Sequence, residues 1–436
     1  MAPDHKADER FEASEPTLLV NRWLRSVGTQ VDPATDSTGE ECPVLDWAAS
    51  GCMDLTGPPD GPPDLSPATM YGLLREVLRA LAETTGTAVD LDPAIALTGR
   101  AALTGLRRAG QRSAGGASRL LRTADGWCAV TLSRATDIEA VPAILGEQCD
   151  DDPWVTLESA AQRWSATELA DRAQLLGVPA AALPPIPHPA VPWQATRIGA
   201  PTPGRTLGDC TVVDLSSMWA GPLCAHLLGR AGARIIKVES LHRPDGARAD
   251  PGFFDWLHAG HEFRAIDFRS ETGRTELGEL IDAADIVIEA SRPRALAQLG
   301  LGPDIRPHRD GQIWLSLTGY GRTDPMRVAF GDDAAVAGGL VGRHDGAPVF
   351  CVDAIADPLS GICAALSVAA AIPTGGGLLI DLSMRDTAAA FATAPPLTHG
   401  PHQVRRSADQ WIVTCEHLHR TQPVLPPAPL VDGVAC

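Results

Sequence analysis

The sequence is almost without lysine, since Lys6 and Lys237 are the only two. Nearly all of its positive charge is therefore arginine, and 54 acidic residues against 36 basic ones give a formal net charge of −18 at pH 7. A surface of that sign repels nucleic acid and anionic lipid. The composition therefore excludes nucleic acid as a partner.

Long apolar runs are also missing. No stretch reaches the roughly 18 consecutive apolar residues that a membrane span needs. The opening stretch, MAPDHKADERFEASEP, is charged where a signal peptide is apolar. We therefore expect no membrane association and a cytoplasmic location.

The cysteines show no metal-binding or disulfide spacing. Ten cysteines lie far apart, and no two form a C-x-x-C pair. Without such pairs or a secretory signal, they are predicted to be buried thiols in a reducing compartment. Cys415, His417 and His419 come closest to a zinc-binding spacing, but they lie in a Pro-rich tail. The prediction is that the chain holds no metal.

Three common catalytic signatures are absent as well. No G-x-G-x-x-G follows a predicted strand, and neither G-x-x-x-x-G-K-[ST] nor G-x-S-x-G occurs. Nicotinamide, P-loop and serine-hydrolase functions lose their strongest support. The glycine-rich TGGGL (374–378) precedes a predicted strand, so it indicates a loop more than a phosphate cradle.

What the sequence does have is length for more than one hydrophobic core, at 436 residues. The Pro-rich segment 184–204 cannot form a helix or a central strand, so it is predicted to be a linker. The predicted domains are an amino-terminal extension (1–40), a part with a degenerate repeat (41–200), a catalytic part (201–395) and a tail (396–436).

Helix and strand patterns alternate clearly after the linker. CTVVDLSS (210–217) is typical of a buried parallel strand, residues 218–233 of a helix, and RIIKVES (234–240) of the next strand. DIVIEAS (285–291) and GQIWLSLTGYG (311–321) predict further strands. The predicted fold class is α/β, with a Rossmann-like, open and mostly parallel sheet whose ligands bind at the carboxyl ends of strands.

The segment IADPLSGICAALSVAAAI (355–372) contains the carboxylate of greatest interest. Asp357 is predicted to cap the helix amino terminus, with Pro358 in the first helical position. The helix dipole favours the anionic form of a carboxylate there. The local pattern therefore fits both a structural cap and a nucleophile.

Several of these segments occur in the order found in one enzyme family. The chain resembles the class III CoA-transferases, which include formyl-CoA transferase, carnitine CoA-transferase and alpha-methylacyl-CoA racemase. The resemblance covers about residues 205 to 395 and is carried by VVDLSSMWAGPLCAHLLGRAGARIIKVES, RAIDFRSETGRTELGELIDAADIVIEASRPRALAQLGLGP, IWLSLTGYGRTDP, IADPLSGICAALSVAAAI and LLIDLSMRDTAAA.

The resemblance implies a large Rossmann-like domain that binds coenzyme A, a smaller α+β domain and an interlocked homodimer. It places the family's nucleophilic aspartate at Asp357, which would form a mixed anhydride and then an aspartyl-CoA thioester. Coenzyme A and acyl-CoA would be substrates, a carboxylic acid the acceptor, and no prosthetic group is expected.

The resemblance also implies which residues bind coenzyme A. Position by position, these are Met218, Trp219 and Ala220, with Arg269 placed to meet the phosphates. Trp219 equally fits a core residue, and Arg269 a solvated surface charge.

The sequence departs from the family at functional positions. HAGHEF (258–263) replaces a basic N-x-x-K-R-S stretch, and Ala290-Ser291 replaces the usual Asn-Phe, so groups that bind coenzyme A are lost. Asp332 stands where racemases have a histidine, which argues against racemisation. Three alternatives stay open: a CoA-transferase, a 2-methylacyl-CoA racemase that uses Asp357 with Asp332 or Asp333, and an inactive CoA-binding paralogue.

The order of the parts is unusual for the family. LDWAASGCMDLTGPPDGPP (45–63) resembles residues 332–348, which suggests a degenerate repeat with Ala68 opposite Asp357 and therefore an inert first copy. Residues 122–132 and 167–183 resemble the family's small domain, which ordinarily comes later in the chain. The sequence predicts a rearranged protein with its small-domain-like part first.

Overall fold

The computed structural model describes residues 15–32, 42–86, 89, 91–291, 293–396 and 400–430. Most of the predicted extension at 1–40 and the carboxy-terminal Cys436 lie outside these residues. None of the described helices is long and apolar enough to cross a membrane.

The helices fall on both sides of the predicted linker. In chain order they are α1 (Glu15–Leu24), α2 (Pro43–Ala49), α3 (Thr69–Thr85), α4 (Pro93–Thr104), α5 (Ala135–Leu145), α6 (Pro153–Ala161), α7 (Ala166–Leu175), α8 (Ala220–Arg230), α9 (Pro251–Leu257), α10 (Glu271–Ala283), α11 (Pro293–Gln298), α12 (Gly331–Gly338), α13 (Ala356–Ala371) and α14 (Met384–Ala392). Short 3-10 turns occupy Arg25–Val27, Leu207–Asp209 and Gly246–Ala249.

The strands form one large sheet and three small ones. In chain order they are β1 (Ser118–Arg122), β2 (Trp127–Thr131), β3 (Ala180–Ala182), β4 (Trp193–Arg197), β5 (Thr211–Asp214), β6 (Arg234–Ser240), β7 (Glu262–Ile266), β8 (Ile286–Glu289), β9 (Ile313–Thr318), β10 (Gly342–His344), β11 (Ala347–Val349), β12 (Leu378–Ser383), β13 (His402–Ser407), β14 (Gln410–Cys415) and β15 (Arg420–Pro423).

The large sheet has the order β4-β12-β9-β8-β5-β6-β7. All neighbours are parallel except β4, which pairs with β12 in the antiparallel direction. Counted along the chain, the six parallel strands have the order 3-2-1-4-5-6 of the doubly wound dinucleotide-binding folds. The predicted α/β class with a mostly parallel Rossmann-like sheet is confirmed.

The Pro-rich linker contains a strand that the sequence did not reveal. β4 lies within 184–204, has no proline of its own, and occupies the edge of the sheet. An edge strand needs hydrogen bonds on one side only, so prolines in the flanking residues do not break the ladder. The expectation that this segment forms no central strand holds.

Helix α13 lies at the centre of the main core. Nearly all its residues are buried, and it packs against α8, α3 and α14. Gly361 permits the contact with α8, because a Cβ there would come within 2.6 Å of the Ala220 carbonyl oxygen. The first turns of α13 and α8 therefore lie side by side.

Residues 118–182 build a smaller α+β unit with its own core. The antiparallel sheet β1-β2-β3 packs against α5, α6 and α7. Its other face contacts α12, where Leu120 and Ala129 meet Val336. Helices α2, α3 and α4 instead contribute to the core around α13. The domain bounds given above stay a prediction.

Candidate active site

Asp357 lies at the topological switch point of the large sheet. Strand β5 ends at Asp214, the chain turns through Met218 and Trp219, and α8 begins at Ala220. Because the start of α13 packs against the start of α8, Asp357 lies beside this turn. Doubly wound folds bind ligands at this edge.

Asp357 does not cap α13. Ile355 is the cap residue, Asp357 is the second helical residue, and its backbone N–H donates to the Ala354 carbonyl at 2.9 Å. The cap prediction is wrong because the helix begins at Ala356, two residues earlier than Pro358 suggested. The carboxylate is therefore not used to satisfy its own helix end.

The loop before Asp357 is strained. Val352 and Ala354 have φ values of 58° and 45°, in the left-handed region that β-branched and other non-glycine residues avoid. Such conformations cost on the order of 1–3 kcal/mol each and persist only where the surroundings enforce them. Here the Val352 N–H donates to the Thr56 hydroxyl, and the Ala354 N–H to the Asp332 carboxylate, both at 3.1 Å.

Gly331 lies directly against the Asp357 carboxylate. Its backbone N–H acts to lower the pKa of that carboxyl group. A Cβ at this position would collide with both the carboxylate and the Ala354 carbonyl oxygen. Glycine is therefore required here by close approach rather than by an unusual φ.

Arg100 of α4 reaches the site from the amino-terminal part of the chain. Its Nε and Nη2 donate to the two carboxylate oxygens of Asp353 at 2.8 and 2.7 Å. Its guanidinium also lies over the Trp219 ring, 5.2 Å from the centroid. One side chain thus joins the loop before Asp357 to the turn before α8.

The pKa of Asp357 is raised to about 7. Burial is the main cause, and the negative charges of Asp332 and Asp353 add to it, while the Arg100 guanidinium acts in the opposite direction. The side chain keeps part of its surface exposed. Near neutral pH the carboxylate is therefore partly ionised and less strongly solvated than a surface aspartate.

Asp332 and Asp333 at the start of α12 hold the surrounding backbone. Burial raises the pKa of Asp332 to about 6, and its oxygens accept hydrogen bonds from the Ser118 hydroxyl at 3.0 Å and from the Ala354 N–H. Burial raises the pKa of Asp333 to about 8, and it accepts from Thr131 and from the Phe330 N–H. Both carboxyl groups already have partners within the protein.

The turn at Met218 is shaped by a buried charge cluster. Met218 has a φ of 75°, and its N–H donates to Asp245 at 2.9 Å. Lys237 is fully buried, with its Nζ 3.1 Å from Asp245 and 3.5 Å from Asp214. A buried lysine that ties together β5, β6 and the Met218 turn fixes the edge of the site.

The predicted CoA-binding residues differ in their surroundings. Met218 is 41% exposed and so is open to a ligand, whereas Ala220 is buried. Trp219 is also buried, and packs edge-on against Phe253 with 5.0 Å between ring centroids. Arg269 is exposed in the loop after β7, two strands from β5. The structure thus brings the first three residues to Asp357 and leaves Arg269 farther along the same edge.

The histidines of HAGHEF do not replace the missing basic groups. Burial lowers the pKa of His258 and of His261 to about 4, and their Nδ1 atoms lie 3.1 Å apart. Both rings are therefore neutral at pH 7. The replacement of the basic N-x-x-K-R-S stretch by HAGHEF therefore removes positive charge from these residues.

Two open surface hollows lie elsewhere on the molecule. One, of about 450 Å³, is lined by Arg112, Arg119 and Trp127, and another, of about 440 Å³, by Arg274 and Arg306. Neither is lined by Asp357.

Sequence reasoning missed the residues that reach the loops around Asp357 from distant parts of the chain. Arg100 and Ser118 carry no local motif, and they reach the site only through the fold. Lys237 had a signal, because a lone lysine inside the apolar strand RIIKVES requires a buried counter-charge.

Together, the fold and this site define an α/β protein with a helix-borne carboxylate at the switch point of a Rossmann-like sheet. Residues 207–423 match the sequence model of CoA-transferase family III. The chain therefore contains a CoA-transferase family III domain over residues 207–423.

Curated relatives have CoA-transferase names. The chain is 30% identical over 200 residues to a succinyl-CoA–D-citramalate CoA-transferase of Chloroflexus aurantiacus, covering 42% of this chain and 50% of the relative. It is 30% identical over 220 residues to a succinyl-CoA:glutarate CoA-transferase of Mus musculus, covering 44% and 50%. The chain thus spans about half the length of the curated relatives it matches.

Solved structures include a CaiB/BaiF family protein from Brucella suis. It is 25% identical, with a TM-score of 0.43, and the match covers 48% of this chain and 65% of that one.

Proposed function

We propose that this protein transfers coenzyme A from an acyl-CoA donor to a carboxylic acid, with Asp357 as the nucleophile. The observation that carries the proposal is the position and the raised pKa of the Asp357 carboxyl group. It lies at the switch point of the sheet, is free of a capping role, and has a pKa raised to about 7. A poorly solvated carboxylate of this kind is a better nucleophile than a surface aspartate.

The proposed reaction has four balanced steps. Asp357 attacks the thioester carbonyl and expels CoA thiolate, which leaves a mixed anhydride. The thiolate then attacks the aspartyl carbonyl, releasing the donor acid and forming an aspartyl-CoA thioester. The acceptor carboxylate attacks that thioester and expels CoA thiolate, which forms a second mixed anhydride. The thiolate finally attacks the acceptor carbonyl of this anhydride, which forms the acceptor's acyl-CoA and regenerates Asp357.

Neighbouring residues support this role in distinct ways. Gly331 can hold the attacking carboxylate in position, since it lies directly against it and its backbone N–H favours the ionised form. Arg100 supplies the nearby positive charge that favours the ionised form. Met218 is exposed beside the aspartate and can contact the incoming pantetheine arm.

Isomerisation of 2-methylacyl-CoA is the second candidate, and the contacts argue against it. It would need Asp332 or Asp333 as a proton donor and acceptor opposite Asp357. Asp332 accepts hydrogen bonds through both carboxylate oxygens, Asp333 accepts them through Oδ1, and Asp333 is fully buried. A group that holds the backbone in this way is poorly placed to exchange protons with a substrate.

The test is intact-mass analysis of the protein mixed with a series of acyl-CoAs, with and without hydroxylamine. We expect a CoA adduct that maps to Asp357, is removed by hydroxylamine, and is absent from Asp357→Asn. The exposed Asp151→Asn serves as the matched control and should form the adduct normally. Exchange of the α hydrogen in deuterated water without an adduct would establish the isomerase. If neither an adduct nor exchange is observed, the protein is an inactive CoA-binding protein.

The assembly and location of the protein belong to the same proposal. We propose a homodimer, as the family resemblance implies, and a cytoplasmic location, which agrees with cysteines that have no disulfide spacing. Light scattering on the purified chain measures the first directly.

A further inference from the structure

Two cysteines and a histidine from distant parts of the chain meet in one place. They are Cys42, just before α2, His402 at the start of β13, and Cys415 at the end of β14. Their ligand atoms all lie within 4.8 Å of one another, and the Cys42 Sγ is 3.1 Å from the His402 Nε2. The two cysteines are 2% and 0% exposed, and His402 is partly buried.

The backbone arranges this meeting. His402 and Cys415 are direct partners in the antiparallel pairing of β13 with β14, so their side chains lie on the same face. Helix α2 packs against β14 and β15, which brings Cys42 onto that face. The three donors are thus fixed by a strand pair and a packed helix.

We propose that Cys42, His402 and Cys415 bind one zinc ion. Two thiolates and an imidazole nitrogen are donors that zinc takes in protein sites. With usual bond lengths of about 2.3 Å to sulfur and 2.0–2.1 Å to nitrogen, tetrahedral ligand atoms lie roughly 3.5–3.8 Å apart. The observed spacing reaches that geometry through shifts of less than about 1 Å.

Three protein ligands leave the fourth position for a water molecule. Binding displaces the two thiol protons to solvent and requires a neutral imidazole, so no oxidant or reductant takes part. The site differs from the sequential group Cys415, His417 and His419, because His417 and His419 are exposed. Only Cys415 of that group takes part.

The position of the site indicates a structural role. It would fasten the sheet β13-β14-β15 to α2, and α2 packs against α3, which in turn packs against α13. Zinc at this site would therefore stabilise the folded chain without contacting the proposed nucleophile. The proposal is independent of the CoA-transferase function.

The same two thiols are also close enough for a second chemistry to compete. Oxidation would remove two electrons and two protons and join Cys42 to Cys415 as a disulfide. That outcome and zinc binding are mutually exclusive, since a disulfide sulfur is no thiolate ligand. The experiment therefore measures zinc binding and disulfide formation separately.

The test uses the full chain, reduced, stripped of metal with a chelator and titrated with cobalt(II) chloride. We expect one equivalent of cobalt per chain, thiolate-to-cobalt absorption, and its loss when zinc chloride is added. Cys42→Ser, Cys415→Ser and His402→Ala should each weaken binding by more than the roughly 10- to 100-fold that outer-shell changes cost. Cys149→Ser, a partly buried cysteine outside the group, should bind as the parent does.

His402→Ala keeps both buried thiols in place, so it separates ligation from packing, and circular dichroism checks that each variant is folded. Zinc should also raise the melting temperature of the parent and leave that of folded His402→Ala unchanged. Lack of stoichiometric cobalt binding, equal binding by parent and variants, or a Cys42–Cys415 disulfide in peptides mapped without reductant from freshly prepared protein would overturn the proposal.

Discussion

Arg100 and Asp353 form a two-pronged ion pair that joins α4 to the loop preceding α13. Both carboxylate oxygens accept from the guanidinium, at 2.8 and 2.7 Å, and Asp353 is almost completely buried. A planar guanidinium is suited to this paired geometry in a way that lysine is not. The pair connects residues far apart in the chain at the position where the proposed chemistry takes place.

Arg100→Gln should affect both stability and the pH dependence of activity. It leaves Asp353 buried without a counter-charge, at a cost of about 3 kcal/mol of unfolding free energy. It also removes the positive charge that lowers the pKa of Asp357, so the rising limb of the pH profile of adduct formation should move to higher pH. Urea unfolding and single-turnover rates from pH 5 to pH 9 measure the two effects.

The control for this variant is Arg163→Gln, which breaks an exposed ion pair with Glu147. Exposed pairs contribute about 0–1 kcal/mol, so little should change. Equal pH profiles for Arg100→Gln and the parent would contradict an electrostatic role for Arg100.

Gly331→Ala should abolish adduct formation. The new Cβ collides with the Asp357 carboxylate and the Ala354 carbonyl, so the carboxylate must move from its position. Gly126→Ala is the matched control, because a Cβ there meets nothing within 4 Å and the backbone φ is ordinary. Intact-mass analysis with acyl-CoA compares the two, and a normal adduct in folded Gly331→Ala would refute the proposed positioning.

Asp357→Asn should stabilise the protein in a pH-dependent manner. The folded-state pKa of about 7 lies above the usual 3.8, so the folded state holds the proton more tightly than the unfolded state. The wild-type stability from this group is complete below about pH 4 and is lost as pH rises through 7. Asparagine mimics the protonated form, so its advantage should be near zero at pH 4 and grow toward pH 8.

Urea unfolding of both proteins across this pH range checks the sign. A variant that is less stable than the parent by the same amount at every pH would show that burial does not raise the pKa of this carboxyl group.

Lys237→Met should destabilise the protein strongly. It removes the only buried cation within reach of Asp214 and Asp245 in the described structure, and breaking such a cluster costs about 3–5 kcal/mol. The Met218 turn should loosen as well, because Asp245 also accepts the Met218 N–H. Thermal unfolding measures the loss, and a variant with parental stability would show that the cluster adds nothing.

The parts of the fold that follow from local patterns could be predicted from the sequence. Strand runs such as RIIKVES and the helix predicted within residues 218–233 appear where hydrophobic periodicity placed them, and the parallel sheet followed from their alternation. Asp357 was found through its family resemblance. The residues that hold the neighbouring loop could not be found, because Thr56, Arg100 and Ser118 reach it only through tertiary packing.

Two local inferences failed for physical reasons. Pro358 suggested a later helix start, but the tertiary contacts of the strained loop allow the helix to begin at Ala356. The prolines of 184–204 hid β4, because an edge strand tolerates them in its flanks. In both cases tertiary contacts outweighed the structure that the local sequence favours.

The Arg100–Asp353 pair spans 253 positions of the chain. Closing so long a loop adds little to its thermodynamic cost, since each doubling of length costs only about 0.6 kcal/mol, but contacts of this range slow folding. During synthesis, Asp353 leaves the ribosome 253 residues after Arg100. The aspartate's final geometry should therefore be among the last features to mature, and a nascent chain stalled before residue 353 would lack α13, on which α3 and α4 pack, and would be unable to react with acyl-CoA.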